Sequence, residues 1–198
     1  VAAGTALGAI VLCSLAAYFT VRSRYRGRNL LDFLSWLPFA IPGILLGVGL
    51  LYVFLGNPLL RLLYGSVALM ILAMVIAGLT LGTQILKSTI LQLGAALEEA
   101  ARTCGASWWY GFRHIILPIL TPTLVLVGVI NFIAASRDIA NIALLSSNTS
   151  KTLSLLQLDY MVDGRWEDAA VISVVVMVIA TGAAFVARFC GIRLSVRG

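Results

Sequence analysis

Five stretches of the chain lack Asp, Glu, Lys and Arg and consist mainly of apolar residues. They cover residues 1–21, 33–60, 62–86, 115–136 and 169–187. A helix of about 20 apolar residues can cross a bilayer, and these continuous runs lack the alternating pattern of a membrane β-strand. Because lipid offers backbone groups no hydrogen-bond partner, the spans must be helices. The pattern predicts an all-α, polytopic membrane helical bundle with about five transmembrane helices.

The second stretch carries residues that bend and pack helices. Pro38 and Pro42 each remove a backbone donor, so we expect a kink there. Gly43 and Gly47 stand four residues apart, a spacing that lets a neighbouring helix approach closely. We interpret these glycines as packing positions.

Residues 87–114 differ from the spans. Polar and charged residues return at helical spacing, with Glu98 and Arg102 in the favourable order four residues apart. We expect one or two helices on the membrane surface here rather than a span. Residues 137–168 are also polar and are long for a connector, and the apolar residues within 139–145 and 153–160 predict a short helix at the membrane surface.

Composition and charge agree with a membrane protein and give it a direction. Of the 198 residues, 61% are hydrophobic and 11% are charged, and the mean hydropathy is +1.02. Cytoplasmic loops of membrane proteins are enriched in Lys and Arg. If the spans alternate from an external N-terminus, one side holds most of the basic residues, namely Arg22, Arg24, Arg26, Arg28, Lys87, Arg102, Arg113, Arg188, Arg193 and Arg197. The other side holds Arg61, Arg137, Lys151 and Arg165. We expect the richer side to be cytoplasmic.

The net charge of +6 has the same explanation and gives no support to nucleic-acid binding. The cysteines, Cys13, Cys104 and Cys190, show no close pair and no metal-ligand spacing. The chain begins at Val1 with no charged leader before the apolar run. We therefore expect residues 1–198 to be a single transmembrane domain that lacks its N-terminal part.

Seven residues at fixed offsets between positions 99 and 118 form one motif. They are Glu99, Ala100, Ala101, Gly105, Ile115, Leu117 and Pro118. Their spacing resembles the EAA motif of type I ATP-binding-cassette importer permeases, the MetI-like family. The motif also lies on the side that the charge pattern predicts to be cytoplasmic, which is where the ATPase of that family resides.

The resemblance implies a role for each part of this motif. In the family it belongs to a cytoplasmic coupling segment, residues 87–117 here, whose two short helices insert into a groove on a separate ATPase. Glu99 would be the polar contact, and Ala100 and Ala101 would allow close approach. Gly105 would permit the bend, since left-handed backbone angles cost other residues roughly 1 kcal/mol. Taken alone, Glu99 would be an ordinary solvated helix charge, so the interpretation depends on the whole spacing.

The energy for transport must then come from a partner. The chain has no phosphate-binding Gly-rich loop with Lys and Ser or Thr, so we expect no cofactor on it and ATP with Mg²⁺ on the ATPase subunits. The resemblance further implies an external substrate-binding protein and a second permease half, in a homodimer, a heterodimer or a fused chain. It also implies a multi-pass location in the bacterial inner membrane. The chain is thus predicted to be a transport subunit and not an enzyme.

The cargo is less well defined. The likeness is greatest to permeases of iron(III) importers, with polyamine, thiamine and phosphonate permeases as relatives. No cluster of His, Asp, Glu and Tyr would hold iron tightly, so we predict no metal site here and expect recognition on the external protein. Asn131, Arg137 and Asp138 are candidate pathway residues in and just after the fourth span. Snorkelling to the interface, docking of the binding protein and an interhelical hydrogen bond are the alternatives.

Other protein classes fit the sequence less well. A secondary transporter or channel subunit would also have apolar spans, but it would usually carry an ion-coupling charge within the membrane and would need no docking segment. An intramembrane enzyme is disfavoured because the sequence has no His-Glu-x-x-His or Gly-x-Ser-x-Gly motif.

Overall fold

The computed structural model describes residues 1–23, 26–93, 103, 105, 107–147 and 150–189. The helices in these ranges are α1 (Ala2–Arg22), α2 (Arg28–Ala40), α3 (Gly43–Gly56), α4 (Val67–Gln92), α5 (Leu117–Arg137), α6 (Leu153–Val162) and α7 (Trp166–Phe189). A 3-10 turn (Leu60–Leu63) precedes α4. A helical turn (Trp108–Gly111) and a π-helical turn (Phe112–Ile116) lead into α5. The predicted all-α fold is confirmed, and the short surface helix expected near residues 153–160 is α6.

Four segments within the described residues are long and apolar enough to cross a membrane. They are α1, α4, α5 with the turns before it (Trp109–Arg137), and α7 (Trp166–Arg188). The remaining predicted span is divided into α2 and α3, which meet at 111°. Ile41 is extended, with ψ of 119°, as expected for a residue before proline, and Pro42 cannot donate to the helix. The chain therefore breaks at Pro42, whereas Pro38 stays inside α2.

Helices α1, α4 and α5 form the core, and small residues bring them together. A Cβ on Gly4 would lie 2.5 Å from Ile71, and one on Gly8 would lie 2.9 Å from Val75. These contacts follow the same order along the two helices, so α1 and α4 run parallel. Gly82 of α4 is the meeting point of all three helices, because a Cβ there would be 2.5 Å from the Cys13 sulfur and 3.0 Å from Val127.

Because α1 and α4 are parallel, the chain between them must cross back, and α2 and α3 do this together. The bundle consequently has two different ends. At one end, called the basic end, Arg22 donates to the carbonyl of Ile90 and Lys87 pairs with Asp32. The opposite end, called the far end, carries the Leu60–Leu63 turn with Arg61, and the end of α5 at Arg137. Arg22 and Lys87 of the predicted richer side thus lie at one end of the bundle, and Arg61 and Arg137 of the other side lie at the opposite end. Arg24, Arg102, Arg193 and Arg197 lie outside the described residues.

Helix α4 is longer than the apolar pattern predicts. The uncharged stretch ends at residue 86, but the helix continues through Lys87 to Gln92. Lysine is a good helix former, so the charge does not end the helix, and the Lys87 ammonium is paired with Asp32. Around this core, α3 and α7 keep large apolar side chains exposed, including Tyr52, Val171 and Val186. Such faces are suited to lipid or to another helix.

Candidate functional site

The predicted coupling segment begins inside α4 and ends at α5. Glu99, Ala100 and Ala101 lie outside the described residues. Gly105 has φ of +79°, in the left-handed region that favours glycine, and no atom of the described residues lies within 4 Å of the position its Cβ would take. The backbone at Gly105 therefore has the conformation that a bend requires, and its role in coupling stays a prediction.

The chain re-enters the bundle through the π-helical turn. The N–H of Leu117 bonds to the carbonyl of Phe112, five residues back. Pro118, the second residue of α5, has no N–H to offer the carbonyl of His114. The wider turn accommodates this missing donor before regular helix resumes. Ile115 is half-buried in the turn, and Leu117 and Pro118 are exposed.

An aromatic cluster joins this re-entry point to α1. The ring of Phe112 stacks on Trp109 with centroids 6.0 Å apart and meets the edge of Tyr18 at 5.8 Å. Tyr110 and His114 stack at 4.2 Å on the exposed side. The offset and edge-to-face arrangements are those that aromatic pairs prefer. Movement of the segment before α5 would therefore be transmitted to α1 as well as to α5.

Helix α2 is attached to α4 by polar contacts that the sequence alone does not reveal. The Lys87 ammonium contacts both carboxylate oxygens of Asp32, at 2.7 and 2.6 Å. The Thr80 hydroxyl donates to the Ser35 carbonyl at 2.7 Å, and the Gln84 amide donates to the Ser35 hydroxyl at 3.4 Å. The spacing of Thr80, Gln84 and Lys87 along one helical face was the available signal.

Asn131 lies inside the three-helix core. It is 3% exposed, and its amide nitrogen donates to the Val127 carbonyl one turn back at 2.9 Å. Its amide oxygen fills the space where a side chain on Gly78 would project. Gly78 and Gly82 stand four apart on α4, the same spacing noted for Gly43 and Gly47, so this contact surface was also present in the sequence.

Arg137 and Asp138 are adjacent in sequence but lie in different surroundings. Arg137 ends α5 and is exposed. Asp138 points both carboxylate oxygens at Asn141, accepting its backbone N–H at 2.8 Å and its side-chain amide at 2.9 Å. The predicted pathway residues thus lie in three places: Asn131 in the core, Arg137 on the surface and Asp138 in a turn. Their part in a pathway stays a prediction.

Among the described residues, no three His, Cys, Asp or Glu side chains come close enough to hold a metal ion. At the far end, Lys151 pairs with Asp159 at 2.7 Å and Arg165 pairs with Asp168 at 2.7 Å. The hydrogen bond from Lys151 to Asp159, and then the charge of Asp159, raise the pKa of Lys151.

Known proteins resemble this chain in sequence and in fold. A putative ferric transport system permease protein FbpB 1 of Haemophilus influenzae is 33% identical over 131 residues, which are 66% of this chain and 20% of that protein. The sulfate transport system permease protein CysT of Escherichia coli is 29% identical over 143 residues, which are 68% of this chain and 51% of that protein. The chain thus spans one fifth to about half of these relatives. Sulfate permeases were not among the relatives that the sequence predicted.

The inward-facing structure of the MetNI methionine ABC transporter has the same fold, with a TM-score of 0.64, 15% identity, and coverage of 93% of this chain and 92% of that chain. The MetI-like bundle predicted from the sequence is thereby confirmed. The family model for the inner membrane component of binding-protein-dependent transport systems matches residues 9–190. The chain is a multi-pass inner membrane protein and belongs to the family of binding-protein-dependent transport system inner membrane components.

Proposed function

We propose that this chain is the permease unit of an ATP-binding-cassette importer, which passes substrate from an external binding protein to the cytoplasm. A separate ATPase would bind the segment around Glu99 and supply the energy. The observation that carries the proposal is the motif from Glu99 to Pro118 in the sequence of a chain of this family. An exposed glycine with positive φ supports a bend there, and a helix that enters the bundle follows it.

The contacts on α1 and α5 indicate how the ATPase could drive the bundle. Closure of two ATPase subunits on ATP would move the segment as a rigid body. The stacked rings of Phe112, Trp109 and Tyr18 would carry that movement to α1, while the continuous turns carry it to α5. Since these helices share the core with α4, the three would tilt together. This is a two-state change biased by nucleotide.

A second permease half is also part of the proposal, as a second copy, a different chain or a fused half. One unit offers one docking segment, whereas closure between two ATPases requires two. The exposed apolar faces of α2, α3 and α7 offer surface on which a second half can pack.

For the cargo, we propose ferric iron, with sulfate as the second candidate. Ferric permeases are among the relatives of known name, and the sulfate permease matches a comparable share of the chain. We expect the external binding protein to hold the ion and the permease to provide a low-affinity path.

The experiment reconstitutes the full-length protein in liposomes with an ATPase and a binding protein that co-purify with it. Uptake of radioactive iron(III) and radioactive sulfate is measured with and without ATP. We expect ATP-dependent uptake of iron(III), and its loss in Glu99→Lys and Gly105→Trp. Gly182→Ala in α7 is the control, because no atom lies near the new Cβ. Normal uptake by both coupling variants would contradict the function, and ATP-dependent uptake of sulfate alone would contradict the cargo.

A further inference from the structure

The turn that follows α5 is held together by Asp138 and Asn141. The two carboxylate oxygens of Asp138 accept the backbone N–H and the side-chain amide of Asn141. The backbone carbonyl of Asp138 accepts the hydroxyl of Ser154 on α6 at 2.8 Å. The turn is therefore fixed internally and also to the start of α6.

This turn lies against the break between α2 and α3. A Cβ on Gly43, the first residue of α3, would be 3.0 Å from both the nitrogen and the oxygen of the Asn141 amide. One on Gly47 would be 3.3 Å from the backbone oxygen of Asn141. Asn141 is 4% exposed. The absence of side chains at 43 and 47 is what allows α3 to rest on Asn141.

The two halves of the broken span are anchored to different parts of the molecule. Helix α2 is tied to α4 through the Asp32–Lys87 ion pair and the Thr80–Ser35 hydrogen bond. Helix α3 packs less on α4, and its start contacts the Asn141 turn. A change in the angle at the break therefore moves α3 against Asn141 while α2 stays in place.

Asn141 has a hydrogen-bonding group that is not in use. Its Oδ1 is buried and accepts no hydrogen bond from any residue in the described ranges. Helix α3 begins without a side-chain cap, and the N–H groups of Leu45 and Leu46 donate to the Pro42 carbonyl. The candidate donors for Asn141 are therefore the N–H groups of Gly43 and Ile44, since the first N–H groups of a helix have no acceptor within it. A buried acceptor without a partner is unfavourable, so pairing it with such a donor is favoured.

We propose that Asn141 is a positioning residue that latches the broken span. Its Oδ1 accepts a first-turn N–H of α3 in one arrangement and releases it in the other. Asp138 orients the amide by holding its nitrogen. The two arrangements differ in the angle at Pro42 and so in the position of α3 at the far end. The consequence for transport rests on the proposed function, whereas the latch concerns only the angle.

The angle can be measured with spin labels on either side of the break. Phe39 on α2 and Tyr52 on α3 are 71% and 80% exposed, so labels at Phe39→Cys and Tyr52→Cys disturb little. Electron–electron distances are recorded for the full-length protein in nanodiscs, in a background without other cysteines. The test variants are Asn141→Ala, which removes the acceptor, and Gly43→Ala, which pushes the amide away. Gly49→Ala is the matched control on α3, because nothing lies within 4 Å of its Cβ position.

The structure shows the released arrangement, because Asn141 Oδ1 accepts no hydrogen bond from the described residues. We expect Asn141→Ala and Gly43→Ala to raise the ratio of the released to the latched distance about fivefold, the shift that one ordinary hydrogen bond supplies. Gly49→Ala should match the unsubstituted protein. If one variant fails to fold, as judged by gel filtration, the other still decides. Unchanged distances in a folded variant would overturn the latch. Changed distances in a protein without ATP-driven uptake would support the latch and contradict the proposed function instead.

Discussion

The amide oxygen of Asn131 on α5 occupies the space beside Gly78 on α4 that any larger residue would fill with its side chain. Both positions lie within the membrane-spanning core, where lipid gives no hydrophobic drive for helices to associate. Close packing must therefore supply much of the attraction between α4 and α5.

Gly78→Ala should destabilise the bundle, because the new methyl group cannot coexist with the present position of Asn131. Overpacking of this kind costs about 1–3 kcal/mol. The measurement is the melting temperature of the purified protein in detergent. The second substitution Asn131→Ala should restore part of the loss by making room. Gly49→Ala, with open space at its Cβ, should leave the melting temperature unchanged, and an equal loss in this variant would show that helix flexibility matters and not the contact.

The Asp32–Lys87 ion pair should contribute more than the Lys151–Asp159 pair, although their shortest distances are alike at 2.6 and 2.7 Å. The side chains of Lys87 and Asp32 are 23% and 31% exposed, and those of Lys151 and Asp159 are 49% and 44% exposed. Less solvent strengthens an ion pair, so double-mutant cycles should give about 1 kcal/mol for the first and less than about 0.5 kcal/mol for the second. Added salt should weaken mainly the exposed pair. Equal coupling energies would argue against burial as the cause.

Gly105 and Gly164 offer a matched pair for testing the coupling segment. Their φ angles are +79° and +73°, and within the described parts of the chain no atom lies within 4 Å of either Cβ position. Alanine at either site should cost a similar amount, about 1 kcal/mol, because both adopt left-handed angles. Only Gly105→Ala should reduce retention of the ATPase subunit during co-purification. Equal retention of the ATPase in both variants would show that the bend at Gly105 is not needed for ATPase binding.

Phe112→Ala should loosen the connection between the re-entry turn and α1. Removing the ring loses two aromatic contacts, each worth about 0.5–1.5 kcal/mol beyond the buried area. Phe112→Leu should recover part of this loss through apolar packing alone. Melting in detergent measures the effect, with Phe39→Ala as the control, since that ring is 71% exposed. A larger loss in the control would show that the exposed face of α2 is itself packed in the purified protein.

The sequence was sufficient to predict the helical class, the number of apolar segments and the separation of basic residues between two ends. These properties follow from hydropathy and charge, which each residue carries by itself. It also predicted a disturbance near Pro42. It did not predict that the span is broken into two helices that meet at 111°, because this angle depends on what each helix packs against.

The contacts that the sequence did not reveal are those between helices far apart in the chain. A continuous apolar run shows no preferred face, so nothing in α5 alone indicates that Asn131 meets Gly78. Asn141 was missed for a related reason, since it lies in an irregular turn and acquires its partner, Gly43, only through the fold. In the sequence, the charge of Lys87 marks the end of an apolar stretch. Its pairing with Asp32 is visible only in the fold, because it depends on α2 and α4 meeting.

The parallel arrangement of α1 and α4 also means that α1 is synthesised well before the helix on which it packs. The Cys13 thiol and the Leu79 carbonyl that it contacts are 66 positions apart. At about 5–20 residues per second, α1 waits roughly 3–13 seconds after its synthesis before its main partner emerges from the ribosome. During that interval α1 lacks the helix that its glycine face contacts in the folded bundle. Substitutions on that face would thus act first on the nascent chain and would lower the amount of protein that is inserted into the membrane.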